Sequence, residues 1–475
     1  MRTFTRSRWG SLVVLALLAG LTFLIGAPAA VLAMPIMTGE ITDVVDMDSA
    51  MKIFFTDPIV NNVVTDTELL SVFLEDNNVQ VETTTGGRYI ETAQYFQLPA
   101  GVGFRAHGEY IPEPDGPIIV NSRIYLKKVQ GVVEMEGDVM ERVRGNMGAY
   151  IDWMERALPD LLTRLNDTID RALLGYGNGA LARIDAAWDA VGQPTTIPID
   201  RAYGVTGWTN AWLTFLQGMR IVASADADSD PLRNAGAGQD AQVTDVNPAA
   251  SEITVSAVPA AWADNDFLFT GDGAGHSGQV ATSGDDREIM GLAGMVDDGG
   301  ILPTFQNLLR SSYRLWQAVE VDGTTGDFSS GVLSEDVFVF ADDECFVLGG
   351  GRPNLIVTSR QGARSYWREL KQDRVFNDRA QEGGKGPMSV QLADRRLPIK
   401  VARKMPPEVA YMLQTDTFKR WQLDSGKWDD KTGAIWNRVT DGTGRKDAFY
   451  AVYNWYLQTG CLAPRKNVRI ATAAA

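Results

Sequence analysis

Residues 84–130 read TTGGRYIETAQYFQLPAGVGFRAHGEYIPEPDGPIIVNSRIYLKKVQ, and residues 137–179 read GDVMERVRGNMGAYIDWMERALPDLLTRLNDTIDRALLGYGNG. The first stretch has period-two patterning broken by turn chemistry at Gly86-Gly87, Pro99-Ala100-Gly101 and Pro112 to Gly116, with Ile118 to Val129 reading as one strand. Two limbs of roughly 20 residues would extend about 60 Å at about 3.3 Å per residue. Such a hairpin either lies along its own body or reaches a neighbour. The second stretch is an amphipathic helix. Asp138 and Glu141 have capping-box spacing, and Val143, Met147, Met154, Leu158, Leu165, Ile169 and Leu173 form one apolar stripe. Gly175, Gly177 and Gly179 supply its terminator, and Pro159 predicts a kink or a break.

The chain has 475 residues, 45% of them hydrophobic, enough for two to four domains with real cores. A net charge of −16 disfavours a generic nucleic-acid binder, although an acidic wall can still enclose DNA. Cys345 and Cys461 cannot build a disulfide framework and read as buried, reduced thiols. Residues 1–33 combine Arg2, Arg6 and Arg8 with an apolar run and a small-residue end at Ala30 to Ala33. Taken alone, that is a secretory signal, with a membrane anchor as second reading. The rest of the chain favours a third, in which Met34 is the true start.

Further along, residues 34–83 read as an arm with short helices at Asp48 to Phe55 and Asp66 to Phe73. Residues 131–199 hold the long helix and the start of a peripheral domain. Residues 200–288 form an acidic β-rich insert with strands at Ala241 to Val246 and Glu252 to Val258. Residues 289–352 continue the peripheral domain, with a helix expected over Thr304 to Val319 and a strand over Val337 to Phe340. Residues 353–470 read as strand (Leu355 to Thr358), helix (Arg360 to Asp373), strands at Met388 to Gln391 and Leu397 to Val401, and closing strands near Arg438 to Thr440 and Phe449 to Leu457.

Catalytic signals are weak. His107 and His276 are the two histidines, neither in a metal-ligand spacing, and His107 reads as an exposed loop residue. Gly383-Gly384-Lys385-Gly386 lacks the spacing and hydroxyl of a phosphate loop and reads as a flexible turn. Asp226, Asp228 and Asp230 alternate as hard-cation ligands do, but Pro231 and Ala237 stand where a calcium loop needs glycine and glutamate. They remain a weak metal candidate beside a solvated acidic loop. Asp285-Asp286 and Asp297-Asp298 read as turn acids in preference to paired catalytic carboxylates. No catalytic residue and no cofactor is assigned. Candidate contacts with other subunits are Arg88, Arg105, Arg123, Lys127, Lys128, Arg395 and Arg396, with Lys400, Arg403 and Lys404 extending the last cluster.

In order and local pattern, Met34 to Ile470 resembles the tailed-bacteriophage major capsid proteins of the Hong Kong 97-like fold family. Thr84 to Val129 resembles the family's extended loop, and Gly137 to Leu174 with its exit Gly175-Tyr176-Gly177 resembles the spine helix. Ile289 to Asp298 followed by Gln306 to Trp316, then Arg352 to Thr358, then Tyr453 to Arg469, are similar to its remaining core passages. The resemblance implies an α+β fold with N-terminal arm, extended β-hairpin loop, spine helix, peripheral domain and central axial domain, plus the β-rich insert. It implies a structural, non-enzymatic subunit forming hexamers and pentamers of an icosahedral shell around double-stranded DNA, held without sequence-specific binding. It further implies portal, scaffold or decoration partners, assembly in a host cytoplasm, a place in the virion and no membrane in the mature form. Pro159, the large insert and the hydrophobic leader depart from the family pattern. The lysine–asparagine cross-link of some relatives has no match here. An encapsulin-like compartment shares the fold and would be marked by a neighbouring cargo-enzyme gene. A secreted β-rich binding or hydrolytic protein would be marked by cleaved, periplasmic monomer.

Overall fold

The computed structural model describes residues 69, 90–99, 101–111, 113, 115–138, 147–189, 192, 194–200, 211–225, 233, 240–271, 287–323, 333–373, 389–392, 394–422, 426–430, 435–441 and 444–471. The leader, residue Arg88, the Asp226–Asp230 run, His276, Asp285-Asp286 and the Gly383–Gly386 turn lie outside these residues, as does the arm apart from Leu69. Leu69 is helical and buried in the main core.

The hairpin consists of β1 (Ile90–Gln97) and β2 (Ile118–Ile124), antiparallel in register from Ile90 opposite Ile124 to Tyr95 opposite Ile119. Its limbs are therefore 8 and 7 residues long, far short of the roughly 20 expected. The described residues between them carry no strand. The single strand read over Ile118 to Val129 is two, because the chain leaves the ladder at Tyr125-Leu126 and enters a different sheet as β3 (Lys127–Glu136).

That sheet is organised by β20 (Gly444–Cys461), 18 residues long. It pairs antiparallel with β3, from Leu457 opposite Lys127 to Ala448 opposite Glu136, and with β17 (Phe418–Gln422), β18 (Lys427–Trp428) and β19 (Asn437–Asp441). The long helix α1 (Met147–Ala172) packs on β3. The fit is close at Gly131, where an added Cβ would stand 3.1 Å from Leu161. Of the two outcomes expected at Pro159, a break does not occur: α1 continues through it. The Thr163 hydroxyl donates to the Pro159 carbonyl at 2.8 Å, and burial of Leu165, Ile169 and Ala172 in the main core holds the downstream turns. Past the helix, Gly177 (φ 90°) and Gly179 (φ 81°) adopt left-handed backbone, as the glycine exit requires.

Six short strands follow: β4 (Ala180–Arg183), β5 (Thr196–Pro198), β6 (Arg220–Ser224), β7 (Ala241–Asn247), β8 (Glu252–Val255) and β9 (Phe267–Thr270). They pair in the order β4-β9-β6-β7-β8-β5, every neighbour antiparallel. The two ends of that order also meet. Ile184 bridges Ile199, Asp185 N–H donates to Pro198 O at 2.9 Å, and Asp200 N–H donates to Arg183 O at 2.9 Å. The sheet thus curls into a small barrel around Leu181, Ile197, Ile221, Val243, Ile253 and Leu268, which removes its free edges. This β-rich unit starts at Ala180, so it draws strands from both sides of residue 200.

After the barrel, α2 (Leu292–Met295) packs on the end of α1, with Leu292 N–H donating to Leu173 O at 2.7 Å. At Gly291 an added Cβ would lie 2.5 Å from the carbonyl oxygens of Ala172 and Gly175. Only glycine allows that approach. The helix expected over Thr304 to Val319 is absent. In its place β10 (Thr304–Phe305) and β11 (Leu308–Leu309) form a miniature hairpin whose turn residues Gln306 and Asn307 have φ of 50° and 65°, and a single 3-10 turn at Arg314–Trp316 precedes β12 (Val319–Asp322). Two successive positive φ values define the tight turn that fits strand twist. Phe305, Leu308 and Trp316 are buried from a hairpin and a 3-10 turn and not from one helix face.

The strand expected over Val337 to Phe340 is likewise helix, within α3 (Glu335–Gly349). Ser334 caps it by accepting from Val337 N–H, Glu335 and Asp336 occupy its first turn, and Gly350 closes it in left-handed conformation. Capping and the buried set Val337, Phe338, Ala341 and Cys345 at helical spacing override the local β preference of Val-Phe-Val-Phe.

The final sheet has six strands in the order β12-β21-β16-β13-β15-β14, with β13 (Leu355–Thr358), β14 (Ser389–Gln391), β15 (Arg396–Val401), β16 (Val409–Leu413) and β21 (Val468–Ala471). β13 and β15 are parallel, joined by a crossover through α4 (Arg360–Asp373). Both faces are covered. Ile356, Ala410 and Met412 face the core shared with α3 and α4, while Val357, Val409, Tyr411 and Leu413 face the main core. That period-two partition lets one sheet bind two layers.

Candidate inter-subunit surface

The base of the hairpin is docked. Ile90 and Ile124 are buried against Trp421, and Phe96 stacks on Tyr313 with ring centroids 4.5 Å apart and meets Trp316 edge-on. Arg123 N–H donates to Gln306 O at 2.9 Å, tying β2 to the miniature hairpin. Every second residue of β1 from Ile90 faces inward, and the alternate residues are exposed.

The described residues of 98–117 behave differently. Leu98 (75% exposed), Val102 (89%), Phe104 (108%), Tyr110 (94%) and Ile111 (88%) present large apolar side chains to solvent. Local bonds shape the loop. Ala106 N–H donates to the Glu109 carboxylate at 3.0 Å, Glu109 N–H returns to Ala106 O at 3.3 Å, and Gln97 Nε2 donates to Asp115 at 3.0 Å. His107 sits in the exposed turn ahead of Gly108, whose φ is 86°. Single exposed apolar residues are ordinary on protein surfaces, but a run of aromatic and branched side chains on one tip marks an association surface. Among the described residues β1 and β2 pair as strands only with each other, so β1 presents a strand edge, while the outer edge of β2 is met at Arg123 by the Gln306 carbonyl. This arrangement supplies apolar area and backbone hydrogen-bonding groups.

The basic residues singled out in the sequence are scattered. Arg105 lies on the exposed tip without an ion pair among the described residues. Arg123 pairs across the hairpin with Glu91 at 3.0 Å. Lys127 and Lys128 belong to β3, away from the hairpin limbs, and the Lys128 ammonium lies 5.8 Å from the centre of the Tyr456 ring. Arg395 is held by Asp342, by Asp394 at 3.2 Å and by the Pro353 carbonyl at 3.2 Å, whereas Arg396 donates to Gln391 Oε1 at 3.3 Å.

Asp297, weighed in the sequence as a catalytic acid, is fully buried and organises a loop. Its carboxylate accepts from Gly299 N–H (3.0 Å), Ile301 N–H (3.1 Å) and Leu302 N–H (3.0 Å) and faces Arg310 Nη1 at 3.9 Å. Carboxylate oxygens of Asp297, Asp298 and Glu320 approach within 4.8 Å of one another, a spacing that could hold a cation. Two of the three are already engaged, because Asp297 is bonded to backbone and Glu320 to Arg469 at 3.0 Å. Burial raises the Glu320 pKa against the opposing pull of Arg469. Cys345 and Cys461 are free and buried, and burial pushes their thiols up to about 12 and about 11 respectively. Such thiols stay protonated and inert at neutral pH.

No family model matches the chain, and no curated protein matches it. Solved structures do resemble it over most of its length. The cyanophage A-1(L) capsid asymmetric unit is 10% identical, covering 89% of this chain and 96% of its own, with a TM-score of 0.49. The capsid of the native GTA particle is 10% identical, with coverage of 91% and 98% and a TM-score of 0.42. The capsid of Myoviridae phage XM1 is 7% identical, with coverage of 89% and 98% and a TM-score of 0.41.

Proposed function

We propose that the chain is the structural subunit of an icosahedral, tailed-phage-type shell that encloses double-stranded DNA. Its copies associate into hexamers and pentamers, with the hairpin tip of each laid on its neighbour. The observation that carries this reading is the tip itself, five large apolar side chains exposed at 75% or more on a loop whose base is firmly docked. A rigid base and an apolar tip suit head-to-tail contact, which closes into rings when every copy repeats it. The net charge of −16 fits a wall that contains nucleic acid without gripping phosphates. The ordered sequence resemblance from hairpin to closing strands supports the same function, as it does the virion as location, assembly in a host cytoplasm, and portal, scaffold or decoration proteins as partners. Arg105 on the tip is a candidate polar contact beside that apolar centre, and Arg88, Lys127, Lys128 and Arg396 remain candidate contacts elsewhere on the subunit. Arg123 and Arg395 would contribute only by exchanging partners they already hold.

Negative-stain microscopy of the purified full chain across a concentration series tests the proposal. Uniform rings or closed particles that become more abundant with concentration are expected. A uniform monomer at high concentration contradicts it. Nuclease-protected DNA in particles purified from the producing cells separates a genome shell from a compartment filled with enzyme cargo.

A further inference from the structure

A cavity of about 270 Å³ lies between α1 and the barrel, and four cations line it. Arg164, Asp167, Thr168 and Arg171 come from one face of α1, at spacings of three, four and seven. Arg220 opens β6 on the facing wall, Thr270 ends β9, and Lys404 enters from the segment after β15. Three of the cations have carboxylate partners. Arg171 pairs with Glu288, Arg220 pairs with Asp240 at 2.8 Å, and Lys404 pairs with Asp167 at 2.7 Å with Asp170 nearby. Arg164 has no ion pair among the described residues. Burial and the repulsion of Arg171 disfavour its charged form, and the field of Asp167 only partly offsets them.

A partly desolvated guanidinium beside a second one, facing a void, is an unfavourable arrangement that an incoming anion relieves. The planar fork of arginine matches two oxygens of a tetrahedral oxyanion, and the void exceeds the space of several waters. We propose that this cavity binds a small tetrahedral oxyanion of the inorganic phosphate or sulfate class, with Arg164 as its principal ligand and with Arg171, Arg220 and Lys404, already balanced by Glu288, Asp240 and Asp167, as further hydrogen-bond donors in its wall. The ligand is a free ion and not a nucleic-acid backbone, since the net charge of −16 repels a polyanion while one small ion is captured locally. Because α1 forms one wall and the barrel the other, the ion acts as a clamp between the helix and the β-rich unit. This site does not depend on shell assembly.

Thermal melts of the full chain in sodium phosphate and in sodium chloride, at matched ionic strength and pH, test it directly. Phosphate is expected to raise the Tm saturably, as a ligand of the native state does, with calorimetric titration giving one site per chain. Arg164→Gln keeps every ion pair named above and is expected to weaken phosphate binding at least about tenfold, the loss of one bidentate charge-assisted contact. Arg164→Lys, which retains charge without the fork, is the second variant and is expected to fall between the two. Equal phosphate shifts in wild type and either variant overturn the proposal, as does no shift in wild type. So does an oligothymidylate that stabilises the chain as strongly as phosphate at equal phosphate-group concentration.

Discussion

Phe104→Asp is expected to abolish assembly while leaving the isolated chain as stable as before. Phe104 is fully exposed in the free chain, so its replacement should move the urea midpoint by less than the equivalent of about 0.5 kcal/mol. In an assembly the same side chain would be buried. Burying a phenylalanine contributes about 1.5–3 kcal/mol, and burying an unpaired carboxylate in its place costs several more. The loss recurs at every subunit contact, so a shell amplifies it. Sedimentation velocity should show only the slow species for the variant under conditions where wild type forms particles. Particles of wild-type yield from Phe104→Asp would remove the tip from the interface.

Asp297→Ala is expected to destabilise the chain by about 3–5 kcal/mol, among the larger effects of any single substitution in it. It strips the acceptor from three backbone N–H groups and leaves Arg310, itself fully buried, without its counter-charge. Among the described residues Arg310 would keep its bond to Gly294 O at 2.5 Å, its seat over the Phe305 ring and the weaker field of Asp298. Asp298→Ala, at an exposed neighbour, should cost less than about 0.5 kcal/mol. Urea unfolding with an unchanged m-value checks both. Near-equal stabilities of the two variants would show that Asp297 does not organise the loop.

Much of the C-terminal half was legible because local and tertiary signals agree there. Arg360 to Asp373 is helix as read, and Leu355 to Thr358 and Leu397 to Val401 are strands between clear turns. The misreadings have one physical origin: apolar runs do not declare their period when capping or turn geometry decides. Val337 to Phe340 has β-type residues, but the Ser334 cap and the Gly350 terminator select helix. Thr304 to Trp316 has helix-like spacing, but left-handed Gln306 and Asn307 select a turn. The hairpin was legible in kind and overestimated in length, since its returning limb was credited with residues that pair instead with β20. The exposure of the tip's apolar residues is not legible in the sequence, which does not separate a buried phenylalanine from an exposed one. Of the cavity's cations, Lys404 was legible only as part of a basic contact cluster and is in fact buried against Asp167, and the other three were not legible for a related reason. Arg164 and Arg171 look like a solvated helix face until the barrel wall with Arg220 is placed opposite them.

In the proposed shell, residues 98–117 of one copy are covered by another copy. Hydrogen–deuterium exchange of that segment, compared between dilute monomer and isolated particles, tests it most directly. Fast exchange in the monomer and strong protection in the particle, with α1 unchanged, is the predicted result. Exchange in 98–117 that is equally fast in both states would contradict the account.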